Sequence, residues 1–104
     1  MPGADACRSF RLARVIAAVA EASGVPVREL LSGRRSKRTV QFRQAAMWLA
    51  REITEHSYPA IGQAFNRDHS TVMYGVSRTE ERMTRDPAFA ALVRSLEAGL
   101  LLHG

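Results

Sequence analysis

The chain has 104 residues, of which 46% are hydrophobic and 24% charged, enough to build one packed core and too few for several. That balance excludes wholesale disorder, and sparse aromatics beside plentiful alanine, leucine and arginine favour helices over strands. The net charge of +5 is unevenly spread: seven basic residues and a single acidic one, Glu29, lie between Arg28 and Arg51, a local excess of +6 against −1 elsewhere.

In chain order, residues 1–7 are small and polar and are expected to fray. A helix is predicted from about Arg8 to Ser23, with Leu12, Val15, Ile16 and Val19 on its apolar stripe, Arg8, Arg11 and Arg14 off it, and Gly24 as its stop. Pro26 opens a short helix, Val27 to Leu31, pinned to the core by Val27, Leu30 and Leu31. The next seven residues, Ser32-Gly33-Arg34-Arg35-Ser36-Lys37-Arg38, contain no apolar side chain and read as an exposed basic loop. A long helix follows from about Val40 to Glu55, with Phe42, Ala46, Leu49 and Ile53 stepping by four, three and four, and Trp48 beside them in the core.

Tyr58 to Phe65 reads as a shorter helix, capped by Ser57 and with Pro59 in its first turn. Asn66 makes a tight turn, Asp68 caps the helix after it, and Val72, Val76, Thr79 and Met83 form one face of that helix to about Thr84. Two helices joined this way form a helix-turn-helix, in which the start of the second helix faces DNA bases. Here that start offers Asp68, His69, Ser70 and Thr71. Asp86 then caps a last helix with Pro87 at its first position and Phe89, Leu92, Val93, Leu96 and Leu100 as its stripe. No linker or repeat divides the chain, so residues 1–104 are expected to form one domain: a helix at 8–24, a DNA-binding core at 25–85 and a final helix at 86–104.

The basic patch suits a polyanionic partner, although a merely solvated loop would carry the same charges. Several other chemistries lack their residues. His56, His69 and His103 have no metal-ligand spacing with one another or with Cys7, so no metal is expected. Glu80-Glu81 and Glu52/Glu55 sit as solvated helix faces, not as an acid–base pair. Lys37, the lone lysine, has no phosphate-cradling glycine pattern before it, which excludes a P-loop, and neither a cofactor nor a catalytic site is expected. One cysteine permits no internal disulfide. With no secretory signal, and with Val15 to Ala20 as the longest apolar run of the first helix, a cytoplasmic protein without membrane contact is expected.

These segments carry a resemblance. Leu30-Leu31-Ser32 leading into Arg34-Arg35-Ser36, then Arg43-Gln44-Ala45-Ala46-Met47 with Leu49-Ala50-Arg51-Glu52, Ile61-Gly62, Phe65, and Arg67-Asp68-His69-Ser70-Thr71-Val72 follow the order and spacing of a known domain. From about Val25 to Arg85 the chain resembles the DNA-binding domain of the bacterial replication initiator DnaA. The resemblance implies an all-α domain of about five to six helices with a Trp-repressor-like helix-turn-helix that binds a duplex box of the TTATCCACA type. It implies that Arg35 enters the minor groove at its A·T-rich end and that Asp68, His69 and Ser70 reach bases in the major groove. Thr71, Arg51, Arg34, Lys37 and Arg43 would hold phosphates or lie close to them, and Arg67 belongs to the same motif.

Groove chemistry is consistent with that division. A carboxylate accepts from a cytosine amino group, and arginine favours the narrow minor groove of A·T-rich DNA. The sequence also departs from the family. Asn66 stands where two glycines are usual, so the turn is one residue shorter, and Ser70 replaces a common threonine, losing a methyl that could pack on thymine. Phe42 replaces a common proline and Ala60 a common glutamate. The ATPase module that precedes this domain in the initiator is not among these residues. The resulting expectation is a stand-alone, sequence-selective duplex-DNA binder regulating replication initiation or transcription, with no nucleotide bound. Two rivals stay open: a helical protein-interaction adaptor that has lost base readout, and the DNA-targeting component of a mobile-element enzyme.

Overall fold

The longest buried stripe of the sequence belongs to Lys37–Ile53 (α3), and every other helix packs on it. A computed structural model describes the backbone of residues 3–103 and the side chains of residues 10–102. The other helices are Gly3–Ser23 (α1), Val27–Leu30 (α2), Tyr58–Phe65 (α4), His69–Arg85 (α5) and Pro87–His103 (α6), so the described residues form an all-α fold with no strand.

α3 sits at the centre because its buried positions occupy most of its circumference: Thr39, Phe42, Arg43, Ala45, Ala46, Met47, Trp48, Leu49 and Ala50 are all enclosed. Small alanines let neighbouring helices approach, while Met47, Trp48 and Leu49 fill the space between them. α1 contributes Leu12, Val15, Ile16 and Val19, α4 Ile61 and Phe65, α5 Val72 and Val76, and α6 Phe89, Val93 and Leu100. Each large apolar side chain so enclosed stabilises the fold by about 1.5–3 kcal/mol relative to exposure. Trp48 lies in this core, as expected from its place beside the stripe; Arg94 covers its ring at 5.4 Å, and its indole N–H is buried without a hydrogen-bond partner.

α5 lies tight against α3 at Gly75. A Cβ there would meet Met47 Sδ at 2.9 Å and Gln44 Cγ at 3.3 Å, so the small residue sets how tightly α5 lies on α3.

Helix ends follow local chemistry. Gly24 terminates α1 at a φ of 77°. Ser57 accepts from the Ala60 amide to cap α4, and Asp86 accepts from the Phe89 amide at 3.1 Å to start α6. Three boundaries differ from the sequence expectation. α1 begins at Gly3, several residues before Arg8, because nothing between Gly3 and Leu12 interrupts a helix; residues 1 and 2 of the expected frayed segment lie outside the described residues. α3 begins at Lys37 instead of Val40: the Ser36 hydroxyl accepts from the Thr39 amide at 3.2 Å, which draws Lys37 and Arg38 out of the basic loop and into the first helical turn. α3 also stops at Ile53, before Glu55. Thr54 turns its hydroxyl back to the Ala50 carbonyl at 2.6 Å, and Glu55 takes a left-handed φ of 62°.

Candidate nucleic-acid interface

The turn between α4 and α5 depends on one left-handed residue and one close backbone approach. Asn66 sits at φ 54°, ψ 46°, the left-handed geometry that asparagine tolerates better than most residues. The Arg67 amide donates to the Gly62 carbonyl at 2.8 Å, closing the end of α4 in the manner of a Schellman turn. Gly62 is required where it stands, because a Cβ would collide with the Arg67 carbonyl. The shortened turn therefore closes fully, and α5 starts directly after it.

Asp68 caps α5. Its carboxylate accepts from the Ser70 amide at 3.3 Å and, through the same oxygen, from the Ser70 hydroxyl; the His69 ring lies 3.5 Å away. These hydrogen bonds, the Ser70 hydroxyl first, hold the Asp68 carboxyl below its ordinary pKa. Asp68, His69, Ser70 and Thr71 are all exposed at the tip. The same exposed face continues one turn on with Met73 and Tyr74, 48% and 61% exposed. The sequence motif does not include these two. Their signal was apolar character at a place off the Val72–Val76–Thr79 stripe, where a solvated helix would carry polar residues.

The basic loop is held from beneath. Arg43 is only 6% exposed; its Nε donates to the Leu30 carbonyl at 2.6 Å, and its Nη2 lies 3.0, 2.9 and 3.0 Å from the carbonyls of Glu29, Ser32 and Arg34. The resemblance implies that Arg43 holds a phosphate or lies close to one; in the structure it points inward, and its guanidinium is taken up by carbonyls of α2 and of the loop after it. Burial lowers its pKa, and the nearby charge of Arg67 lowers it further. Arg38 donates to the Ser23 carbonyl, and its guanidinium lies 5.2 Å from the Phe42 ring.

Arg67 joins the two halves. From the turn between α4 and α5, one guanidinium nitrogen donates to the Phe65 carbonyl at 2.9 Å and the other reaches the Ser32 carbonyl at 2.6 Å. An open cleft of about 500 Å³ is lined by Gly33, Arg35, Val40, Arg43 and Arg67. Its neighbour is lined by Pro59, Gly62, Gln63, Asn66, Arg67, Asp68 and His69. The basic loop and the recognition tip thus share one side of the molecule, with Arg67 common to both clefts.

Charge placement on that side runs against the usual helix preference. The first turn of α3 carries Lys37 and Arg38 and no acid, where a helix dipole favours a negative charge. Arg34, Arg35 and Lys37 are exposed around it. Arg51, also exposed, stacks on Tyr58 at 4.3 Å and donates to the His56 carbonyl at 2.9 Å, which keeps it beside the first turn of α4.

The family described as "Bacterial dnaA protein helix-turn-helix" matches residues 12–78. The chain belongs to that family. Chromosomal replication initiator protein DnaA of Deinococcus radiodurans is 52% identical over 62 residues, covering 60% of this chain and 13% of that protein. Its counterpart in Magnetococcus marinus is 38% identical over 94 residues, 89% of this chain and 21% of that protein. A solved structure titled "crystal structure of DNA replication initiation factor" superposes with a TM-score of 0.80 at 35% identity, covering 89% of this chain and 29% of the other. The DnaA-type chain therefore spans between an eighth and about a fifth of the length of these two relatives. Its six helices match the fold of that structure, and α4 and α5 are its helix-turn-helix.

Proposed function

We propose that this DnaA-type domain binds duplex DNA sequence-selectively, at sites related to the TTATCCACA box, and so regulates replication initiation or transcription. The recognition helix α5 enters the major groove with Asp68, His69 and Ser70 at the bases and Thr71 beside a phosphate, while Asp68 also caps that end of the helix. The basic loop places Arg35 in the adjoining minor groove. Arg34, Lys37 and Arg51 meet phosphates, which position the domain without reading sequence. Met73 and Tyr74 extend the contact surface along the helix. Duplex DNA is the partner in this reading, with no nucleotide and no membrane; among the described residues no helix is long and apolar enough to cross one.

The observation that supports this reading best is the Arg67–Ser32 hydrogen bond, which ties the loop to the turn and puts both on one side. A cationic loop and a polar helix tip side by side match adjoining grooves of one duplex. The relatives named replication initiator agree with such a partner.

Titration of a fluorescein-labelled box duplex against a scrambled one tests the proposal. A preference of about tenfold or more is expected, with affinity falling steeply as salt rises through release of ions from about four to seven phosphates. Equal affinity for both duplexes, or no binding at physiological salt, would favour the protein-interaction adaptor instead.

A further inference from the structure

We infer that Arg67 is a positioning residue that sets the register between the two groove readers, so that the protein measures the separation between the A·T-rich end of its site and the bases read in the major groove. The inference rests on the two-groove reading above.

Both acceptors of the Arg67 guanidinium are backbone carbonyls, Phe65 on the turn and Ser32 on the loop. Arginine presents its donors as a rigid planar fork, so a bond at each prong fixes the distance between two chain segments as well as their contact. On the turn side the link cannot slide, because the Arg67 amide is bonded to Gly62 and its carbonyl is packed on the same glycine. On the loop side the Ser32 carbonyl is shared with Arg43, which also holds Glu29, Leu30 and Arg34. A displacement of the recognition helix is therefore passed to the loop. Without Arg67, the loop would remain ordered on α3 through Arg43 but would be free to shift relative to the tip.

The cleft between the readers has room for what separates two grooves. A sugar-phosphate strand divides the minor from the major groove, and the concavity lined by Gly33, Arg35, Arg43 and Arg67 lies where that strand would pass. Arg43 and Arg67 line this cleft together, and two like charges so placed are best accommodated with an anion nearby.

The test compares the whole chain and its Arg67→Gln variant on three duplexes: the matched box, the box with one base pair inserted between its A·T end and its major-groove bases, and a scrambled sequence. One inserted pair moves the A·T end by about 3.4 Å. The wild type should lose about tenfold or more on the inserted duplex. The variant should bind matched and inserted duplexes within about threefold of each other, yet still prefer both to the scrambled one through its major-groove contacts. If Arg67 is only a phosphate contact, the variant weakens all three alike and keeps the wild-type ratio, which overturns the inference. So does a wild type that binds matched and inserted boxes equally. A wild type that fails to separate matched from scrambled duplexes removes the two-groove reading itself. Circular dichroism checks folding; should the glutamine variant unfold, Arg67→Lys, whose single ammonium cannot span both carbonyls, carries the same comparison.

Discussion

The backbone carbonyl of Arg67 packs against the Cα of Gly62 so closely that no side chain fits between them. The obstacle is backbone and belongs to the turn that launches the recognition helix, so it cannot move aside alone. Gly62→Ala should therefore cost about 2–3 kcal/mol of stability and weaken box binding as the tip shifts. Gly33→Ala, with open space around its Cβ, should stay within about 0.5 kcal/mol. Trp48, the sole tryptophan and 3% exposed, reports both in a urea titration followed by fluorescence.

Replacing Arg43 with methionine keeps bulk but strips the donors from four carbonyls, Glu29 and Leu30 in α2 and Ser32 and Arg34 in the loop. A loss of about 2–4 kcal/mol is expected, together with faster hydrogen exchange of amides between residues 31 and 36. Lysine should not rescue it, because one ammonium cannot cover the same acceptors. The salt slope of DNA binding should change less than on loss of the exposed Lys37, since the Arg43 donors are taken up by backbone carbonyls.

Asp68 makes stability depend on pH in a defined direction. Its folded pKa is depressed, chiefly by the Ser70 hydroxyl, so its contribution is complete above the ordinary carboxylate value near 3.8 and is lost as pH falls through the lower folded value. Thermal unfolding followed across that acid range should show a smaller drop for Asp68→Asn, which still caps the helix but does not titrate. Identical pH profiles for the two proteins would contradict this role.

Arg35 and Lys37 are both exposed and basic, yet they should fail differently. Arg35→Ala is expected to cost about 1–3 kcal/mol on the matched box and to relax preference at its A·T end. Lys37→Ala should weaken all duplexes alike and reduce the salt slope by about one. Affinities on a panel of single-pair box variants, at two salt concentrations, separate the two patterns.

Much of this fold is legible in the residues themselves. Stripes such as Leu12–Val15–Val19 and Val72–Val76–Thr79 repeat at helical spacing, and Ser57, Asp68 and Asp86 announce their helices because capping is a local interaction. The left-handed Asn66 follows from the same local chemistry. What could not be read depends on contacts distant in sequence. Arg67 and Ser32 are 35 residues apart, and no periodicity links them. Arg43 was grouped with its charged neighbours, although it stands four residues after Thr39 and three before Ala46, on a face that proves buried. A buried guanidinium has no compositional mark; only the unpaired carbonyls of a nearby loop call for one.

The four carbonyls gathered by Arg43 also bear on how quickly a partner can be engaged. A seven-residue basic segment left loose would have to surrender its backbone freedom at every encounter, at a thermodynamic toll that weakens association. Here that ordering is completed when the polypeptide folds. The charged finger meets its target already shaped, and long-range attraction can be converted into a docked complex without a slow search through loop conformations.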